Sequence, residues 1–126
     1  MNSGLQNQTG FSLVELILVI GIVGILAATA IPQISFYRKR AYEAEIQSNL
    51  MNAVTAEEAY FTKNQTYKAG VLDSGTPPGF YKSADVSLAS TAGDHTFVLS
   101  ASHVNCGSNT WTYTSTSGRI AGNSCP

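Results

Sequence analysis

The sequence has few charged residues, and they are unevenly distributed. Only 12% of its 126 residues are charged, whereas about 25% is usual in soluble domains. Residues 1–37 contain one charged side chain, that of Glu15, and the other fourteen lie in residues 38–126. The net charge of −1 gives no indication of a nucleic-acid-binding surface. The chain therefore divides into an apolar N-terminal third and a more ordinary remainder.

Motifs that carry enzymatic chemistry are missing from the sequence. It contains no G-x-S-x-G nucleophile motif and no glycine-rich phosphate loop. The two histidines, His95 and His103, are predicted to lie on one strand about 26 Å apart, too far to share a metal ion. The remaining acids of interest form no dense calcium-binding loop, and we interpret them as surface acids: Asp73, Asp85 and Asp94. We expect no enzymatic activity, no cofactor and no metal.

A long apolar run begins at Phe11. Residues 11–31 are 21 in number, and about 20 apolar residues in a helix cross the hydrocarbon core of a bilayer. A lone strand could not satisfy its backbone in lipid, so the run predicts a helix. Gly21 and Gly24 would let neighbouring helices approach closely. Gly24 and Pro32 together predict a kink or local melting between residues 24 and 32.

Glu15 is an anomaly within this run. A charged side chain at the centre of a membrane costs roughly 2.5–3.5 kcal/mol on insertion scales, and less near the end of a span. An acid in such a place predicts a function, with an amine as its natural partner.

A secretory signal peptide is an alternative interpretation, because Ala28, Thr29 and Ala30 form a cleavage-like pattern. Against it, the run exceeds the usual apolar region of about 7–15 residues. Residues 1–10 also contain no Lys or Arg.

The N-terminal motif resembles that of a known family. The residues Gly-Phe-Ser-Leu-Val-Glu at 10–15, the apolar run and the Ala-Ile-Pro at 30–32 are similar to the processing and assembly signature of type IV pilins and pseudopilins. The resemblance covers about residues 10–45. It implies that a membrane peptidase cuts between Gly10 and Phe11 and that the new amine of Phe11 is methylated. It also implies that Glu15 pairs with the amine of a neighbouring subunit, and that Pro32 bends the helix.

The spacing of Phe11 and Glu15 agrees with that implication. Glu15 lies four residues after Phe11, which is about one helical turn, so the amine and the carboxylate are expected to share a face. Because an unpaired carboxylate is costly in a low-dielectric core, an intermolecular ion pair would form only in the correct register.

Two features depart from the family pattern. The predicted leader, residues 1–10, has no basic residue, whereas three follow the apolar run: Arg38, Lys39 and Arg40, here called the basic cluster. The positive-inside rule would therefore orient the helix oppositely to what processing requires. We interpret the basic cluster as a solvated or subunit-contacting patch that pairs with acids such as Glu43 and Glu45.

The rest of the chain predicts an α+β fold. The helix is expected to continue to residue 63 and to carry an apolar stripe that the C-terminal part of the chain covers. The stripe consists of Tyr42, Ile46, Leu50, Val54 and Phe61. The opposite face would carry Glu43, Gln47, Asn49 and Glu58. After a loop at 64–79, strands are predicted at 79–82, 85–89, 96–102, 110–114 and 119–121. They would form a small antiparallel sheet packed on the helix, as in a pilin-like roll.

The two cysteines, Cys106 and Cys125, predict a disulfide. An even cysteine count in an exported domain favours pairing, and the alternative of two free thiols in a cytosolic protein disagrees with the membrane segment. The loop of about 20 residues would contribute roughly 3 kcal/mol of stability.

The sequence thus predicts a filament subunit in four parts. These are a leader at 1–10, a membrane and filament-core helix at 11–34, an amphipathic helix half at 35–63, and a loop and sheet at 64–126. We expect a homo-oligomeric filament, a prepilin peptidase, the pilus assembly machinery and the inner membrane as partners, with the finished pilus on the cell surface. The alternatives are a type II secretion pseudopilin, a minor pilin, or a membrane-anchored binding or enzymatic domain.

Overall fold

The computed structural model describes residues 10–126, so most of the predicted leader lies outside the described residues. The elements are one α-helix, five strands and one short 3₁₀ helix: α1 Leu13–Asn64, β1 Gly70–Leu72, β2 Val86–Ala92, β3 Phe97–His103, η1 Val104–Cys106, β4 Trp111–Thr114 and β5 Arg119–Ala121. The predicted long helix is confirmed. The contacts within the chain divide it into one unit that ends at Ser35 and a second unit, residues 36–126, here called the head unit.

The N-terminal unit is helical from Leu13 onward, and its side chains are exposed. Residues 24–32 are helical throughout, so the local melting predicted there is not found. Pro32 lies inside the helix, and the kink at Gly24 and Pro32 remains a prediction. Two hydroxyls bond to carbonyls of the preceding turn, Thr29 to Leu26 and Ser35 to Pro32, each over 2.9 Å.

In the head unit the strands form one antiparallel sheet with the order β1-β2-β3-β4-β5. Every strand pairs with its neighbour in sequence, which is the simplest arrangement of successive hairpins. The predicted α+β architecture is confirmed, as are four of the five predicted strands.

The strand predicted at 79–82 is wrong, and a strand that was not predicted, Gly70–Leu72, takes the edge position instead. Pro77 and Pro78 precede the segment and cannot donate to a ladder. Phe80 is nevertheless 1% exposed, because it enters the core from a loop. The edge strand was not predicted because it begins with Gly70, and sequence patterns assign glycine to loops. The φ of Gly70 is 103°.

The core of the head unit forms between the inner face of the sheet and one stripe of α1. Alternate strand residues point inward, as the period of two requires, and Leu99, Ile46 and Leu50 are fully buried. The predicted stripe is therefore confirmed at its centre. Asn49 was predicted to lie on the opposite face, and that is wrong, since it is 4% exposed.

The C-terminal segment is fixed by the predicted disulfide. Cys106 and Cys125 are bonded, with their Cα atoms 4.7 Å apart. Both residues belong to the core cluster. The bond ties the chain end to the turn that follows β3.

Candidate processing and assembly site

Gly10 and Phe11 precede the helix and are both exposed. A side chain added at Gly10 would meet nothing within 4 Å, and Phe11 is 85% exposed. The helix begins two residues later than predicted, at Leu13. The expectation that Phe11 and Glu15 share one helical turn is therefore not met, because Phe11 lies outside the helix.

Glu15 and Ser12 together cap the start of α1. The Ser12 hydroxyl accepts a hydrogen bond from the backbone N–H of Val14 over 3.2 Å. The Glu15 carboxylate reaches back and accepts one from the N–H of Ser12 over 2.9 Å. This reciprocal S-x-x-E arrangement is a capping box in which the hydroxyl accepts the second helical N–H in place of the third, and it satisfies backbone donors that a helix start leaves unpaired. It was not predicted from the sequence, although the four-residue motif was visible there.

The capping box engages one of the two carboxylate oxygens of Glu15. Among residues 10–126, its Oε2 accepts the Ser12 N–H and its Oε1 accepts no hydrogen bond. An ionised carboxylate has acceptor capacity on both oxygens. Glu15 can therefore cap its own helix and still receive an amine from elsewhere.

The apolar N-terminal part of the helix that carries this cap is long enough for a membrane span. Within the described residues, α1 is the one helix long and apolar enough to cross a bilayer. A methyl group added at Gly21 or at Gly24 would meet nothing within 4 Å. The exposed apolar side chains between 11 and 34 include Phe11, Leu13, Val14, Leu16, Ile17, Leu18, Val19, Ile20, Ile22, Val23, Ile25, Leu26, Ile31 and Ile34.

The predicted pairing of the basic cluster with Glu43 and Glu45 is not found, since neither acid lies within 4.0 Å of a cluster cation in residues 10–126. Glu43 accepts the backbone N–H of Cys125 over 2.8 Å. Glu45 bonds the Nε2 of His103 over 3.2 Å. Both carboxylates therefore hold the C-terminal part of the chain onto α1.

His103 is buried at the end of β3, whereas His95 lies in the turn before it. The prediction that both histidines share a strand is wrong. The N–H of Asn105 bonds Nδ1 of His103 over 3.0 Å, so that nitrogen is the acceptor and Nε2 is the donor to Glu45. The ring also stacks on Tyr42, with centroids 4.6 Å apart. His103 is a packing residue of the interface between sheet and helix.

A buried carboxyl, that of Glu57, was not predicted from the sequence. It is fully buried, and its Oε2 accepts the backbone N–H of Lys68 over 2.8 Å. Its Oε1 has no partner in the part of the chain that the structure describes. Burial raises the pKa of Glu57, and the hydrogen bond from Lys68 opposes that rise. The sequence did contain a signal for this burial, because the spacing of Glu57 from Leu50 and Ala53 places it on the same face of the helix.

Asn49 is a second polar residue on the buried stripe. Its Oδ1 accepts the N–H of Ser83 over 2.9 Å, and its amide nitrogen donates to the carbonyl of Glu45 and to the hydroxyl of Ser83. A buried amide satisfied in this way fixes the loop before β2 against α1.

Comparisons with known proteins agree with the N-terminal signature. Residues 5–31 match the prokaryotic N-terminal methylation motif. The chain is 33% identical over 85 residues, 68% of its length, to the type IV major pilin protein PilA of Myxococcus xanthus. It is 41% identical over 63 residues, half of its length, to the type IV wide pilus major component PilA4 of Thermus thermophilus. It is 40% identical over 80 residues, 59% of its length, to the type IV major pilin protein PilE of Neisseria gonorrhoeae.

The matched stretch spans 39%, 48% and 47% of the lengths of these three relatives. The chain therefore spans about half, or somewhat less, of the curated relatives that it matches. The motif, the apolar helix and the helix-on-sheet architecture nevertheless agree with one another. The chain is similar in sequence to type IV major pilins, and it carries the N-terminal methylation motif.

Proposed function

We propose that this chain is the structural subunit of a type IV pilus. It is made as a precursor in the inner membrane, cut after Gly10 by a prepilin peptidase, methylated on Phe11 and polymerised through its apolar helix. The pilus machinery assembles it into a filament on the cell surface. The observation that carries the proposal is Glu15, the single charge among residues 1–37. It lies five residues after the motif glycine, and one of its oxygens accepts no hydrogen bond from residues 10–126.

In the proposed assembly, the Oε1 oxygen of Glu15 receives the Phe11 amine of a neighbouring subunit. The amine does not exist until the bond after Gly10 is cut, so processing would precede assembly. An uncompensated charge in an apolar core costs several kcal/mol, and a matched pair removes that cost only in one register. Glu15 would thus select the stacking of subunits and would have no catalytic role.

The capping box supplies the sharpest test, because it separates two roles of the same carboxylate. Glu15→Gln keeps an acceptor for the Ser12 N–H, as glutamine does in a capping box, but removes the charge. We expect this variant to be inserted and cleaved but to form no filaments in electron micrographs of sheared surface material. Ser12→Ala is the matched variant, since it weakens the cap and leaves the charge. It should assemble, and normal filaments from Glu15→Gln would refute the register role.

Mass spectrometry of the mature N-terminus tests the processing step. The expected first residue is N-methylated Phe11. A retained Met1, or a cut after Ala30, would contradict the pilin interpretation and favour an uncleaved anchor or a secretory signal respectively.

A further inference from the structure

The basic cluster carries charge that no ion pair neutralises within the described part of the chain. In residues 10–126, the ion pair within 4.0 Å is that of Lys82 with Asp73, Glu45 is hydrogen-bonded to His103, and neither contact involves the cluster. Arg38 and Arg40 are exposed, and Lys39 is half-buried. Glu43 lines the same groove as Lys39 and Arg40 but forms no ion pair with them within 4.0 Å. The cluster therefore contributes three positive charges that lack a carboxylate at ion-pair distance among the described residues.

Two aromatic side chains directly precede the cluster. Phe36 is 52% and Tyr37 63% exposed, and their ring centroids are 6.2 Å apart in an edge-to-face arrangement. The guanidinium of Arg40 lies 4.6 Å from the centroid of the Phe36 ring. Exposed aromatics flanked by Arg and Lys are typical of the boundary between the apolar and polar regions of a membrane.

The position of the cluster in the chain also corresponds to the boundary of the membrane. Arg38 follows Ile34, the end of the apolar run, by four residues. A shallow groove of about 480 Å³ in the head unit is lined by Phe36, Lys39, Arg40 and Glu43, among others. A partner must therefore be anionic, must tolerate aromatic neighbours, and must be present where the apolar run ends.

We infer that the basic cluster binds the phosphate groups of anionic phospholipids at the membrane surface while the subunit is in the bilayer. The inference rests on the proposed membrane-inserted state. Guanidinium groups bind phosphate through two parallel N–H donors, and Phe36 orients the guanidinium of Arg40. The attraction falls with added salt, because it acts between charges near water.

Lipid binding would explain why the basic cluster lies on the side of the apolar run that the positive-inside rule does not favour. Lys and Arg beyond the apolar run oppose the orientation that processing requires if they act as topology signals. As lipid ligands they set the depth of the subunit in the bilayer instead. Their contacts with phosphate must break when the subunit leaves the membrane, so the cluster opposes extraction.

The test is a distance measurement on the full chain reconstituted in vesicles. Flotation first establishes that the chain is inserted. Magic-angle-spinning NMR then measures dephasing of ¹³Cζ-labelled arginine by lipid ³¹P, in vesicles with and without phosphatidylglycerol. The three arginines are Arg38, Arg40 and Arg119. Arg38→Gln with Arg40→Gln leaves Arg119 as the only labelled site, and Arg119→Gln is the matched control.

The expected result is dephasing in the wild type and in Arg119→Gln that is stronger with phosphatidylglycerol, weakens with salt and disappears in the double variant. An inserted wild-type chain without dephasing, or dephasing that survives in the double variant, would overturn the lipid contact and leave the proposed function standing. A chain that does not float with vesicles would overturn the membrane-inserted state itself. Capture of a short DNA duplex through the same arginines, without lipid dephasing, would assign the cluster to nucleic acid and also overturn the inference.

Discussion

At the scale of single residues, Glu57 shows how an ionisable side chain can be placed inside a small core. One oxygen accepts the Lys68 N–H, and the other is buried without a partner in the described chain. Burying an ionised carboxylate is costly, so its protonated form is favoured. The pKa is accordingly raised from its ordinary value of 4.5, with burial as the largest cause.

The raised pKa of Glu57 predicts a pH dependence of stability. The folded state binds the Glu57 proton more tightly than the unfolded state does. The contribution of this proton to the free energy of unfolding is therefore fully present below about pH 4.5, and it is lost as the pH rises through the pKa of Glu57 in the folded state. Glu57→Gln removes this component, so the free energy of unfolding should fall less between about pH 4.5 and pH 7 than in the wild type.

Urea unfolding of the detergent-solubilised chain, followed by the fluorescence of Trp111, measures that difference. Glu58→Gln is the control, since Glu58 is adjacent in sequence but exposed. Parallel pH profiles for the wild type and Glu57→Gln would contradict the assignment.

At the scale of elements, the last strands are fitted closely to the end of the chain. A methyl group added at Gly122 would overlap the indole ring of Trp111, which is 9% exposed. The residue after β5 must therefore lack a side chain because β4 places a large ring against its backbone.

We predict that Gly122→Ala destabilises the head unit by about 1–3 kcal/mol, as overpacking of a core usually does. The change should also shift the fluorescence of Trp111. Gly118→Ala is the comparison: its φ of 64° strains an alanine, but a methyl group there meets nothing within 4 Å. It should lower stability without changing the fluorescence of the native state. An unchanged Trp111 spectrum in Gly122→Ala would refute the predicted overlap.

The disulfide joins elements that are separated by 19 residues in sequence. Replacing Cys106 and Cys125 by Ala should reduce the free energy of unfolding by about 3 kcal/mol in the chain-entropy account. Chemical unfolding with and without reductant measures it, because reductant should weaken the wild type and leave the double variant unchanged. Equal stability of the oxidised wild type and the variant would show that the hydrogen bond from Cys125 N–H to Glu43 suffices to hold the C-terminal segment.

At the scale of the whole molecule, two signals bear on the side of the membrane on which the head unit lies. The apolar helix allows a span, but processing and the basic cluster indicate opposite orientations. We predict that the head unit lies outside the cytoplasm, where its disulfide can form.

Protease added to intact spheroplasts that express the chain should digest the head unit and leave the apolar segment protected. A cytoplasmic marker protein serves as the control for spheroplast integrity. A head unit that is digested only after lysis would contradict the predicted orientation and the proposed localisation.

The sequence by itself determined the long helix, its apolar run, the class of fold and the relationship to pilins. These features depend on local pattern: uninterrupted hydrophobicity, a period of two in the strands, and the short motif at residues 10–15. It also contained the capping box of Ser12 and Glu15, although Glu15 was predicted only as a partner for another subunit.

Only the tertiary structure decided how the polar residues of the head unit are used. Glu43, Glu45, Asn49 and Glu57 all have helix-surface residue types, yet each bonds a group at least eleven residues away in sequence. The edge strand at Gly70–Leu72 likewise depends on a partner, residues 88–90, that the sequence does not identify. Long-range pairing determines both, because a side chain or a strand that lacks strong local preference takes the partner that folding brings to it.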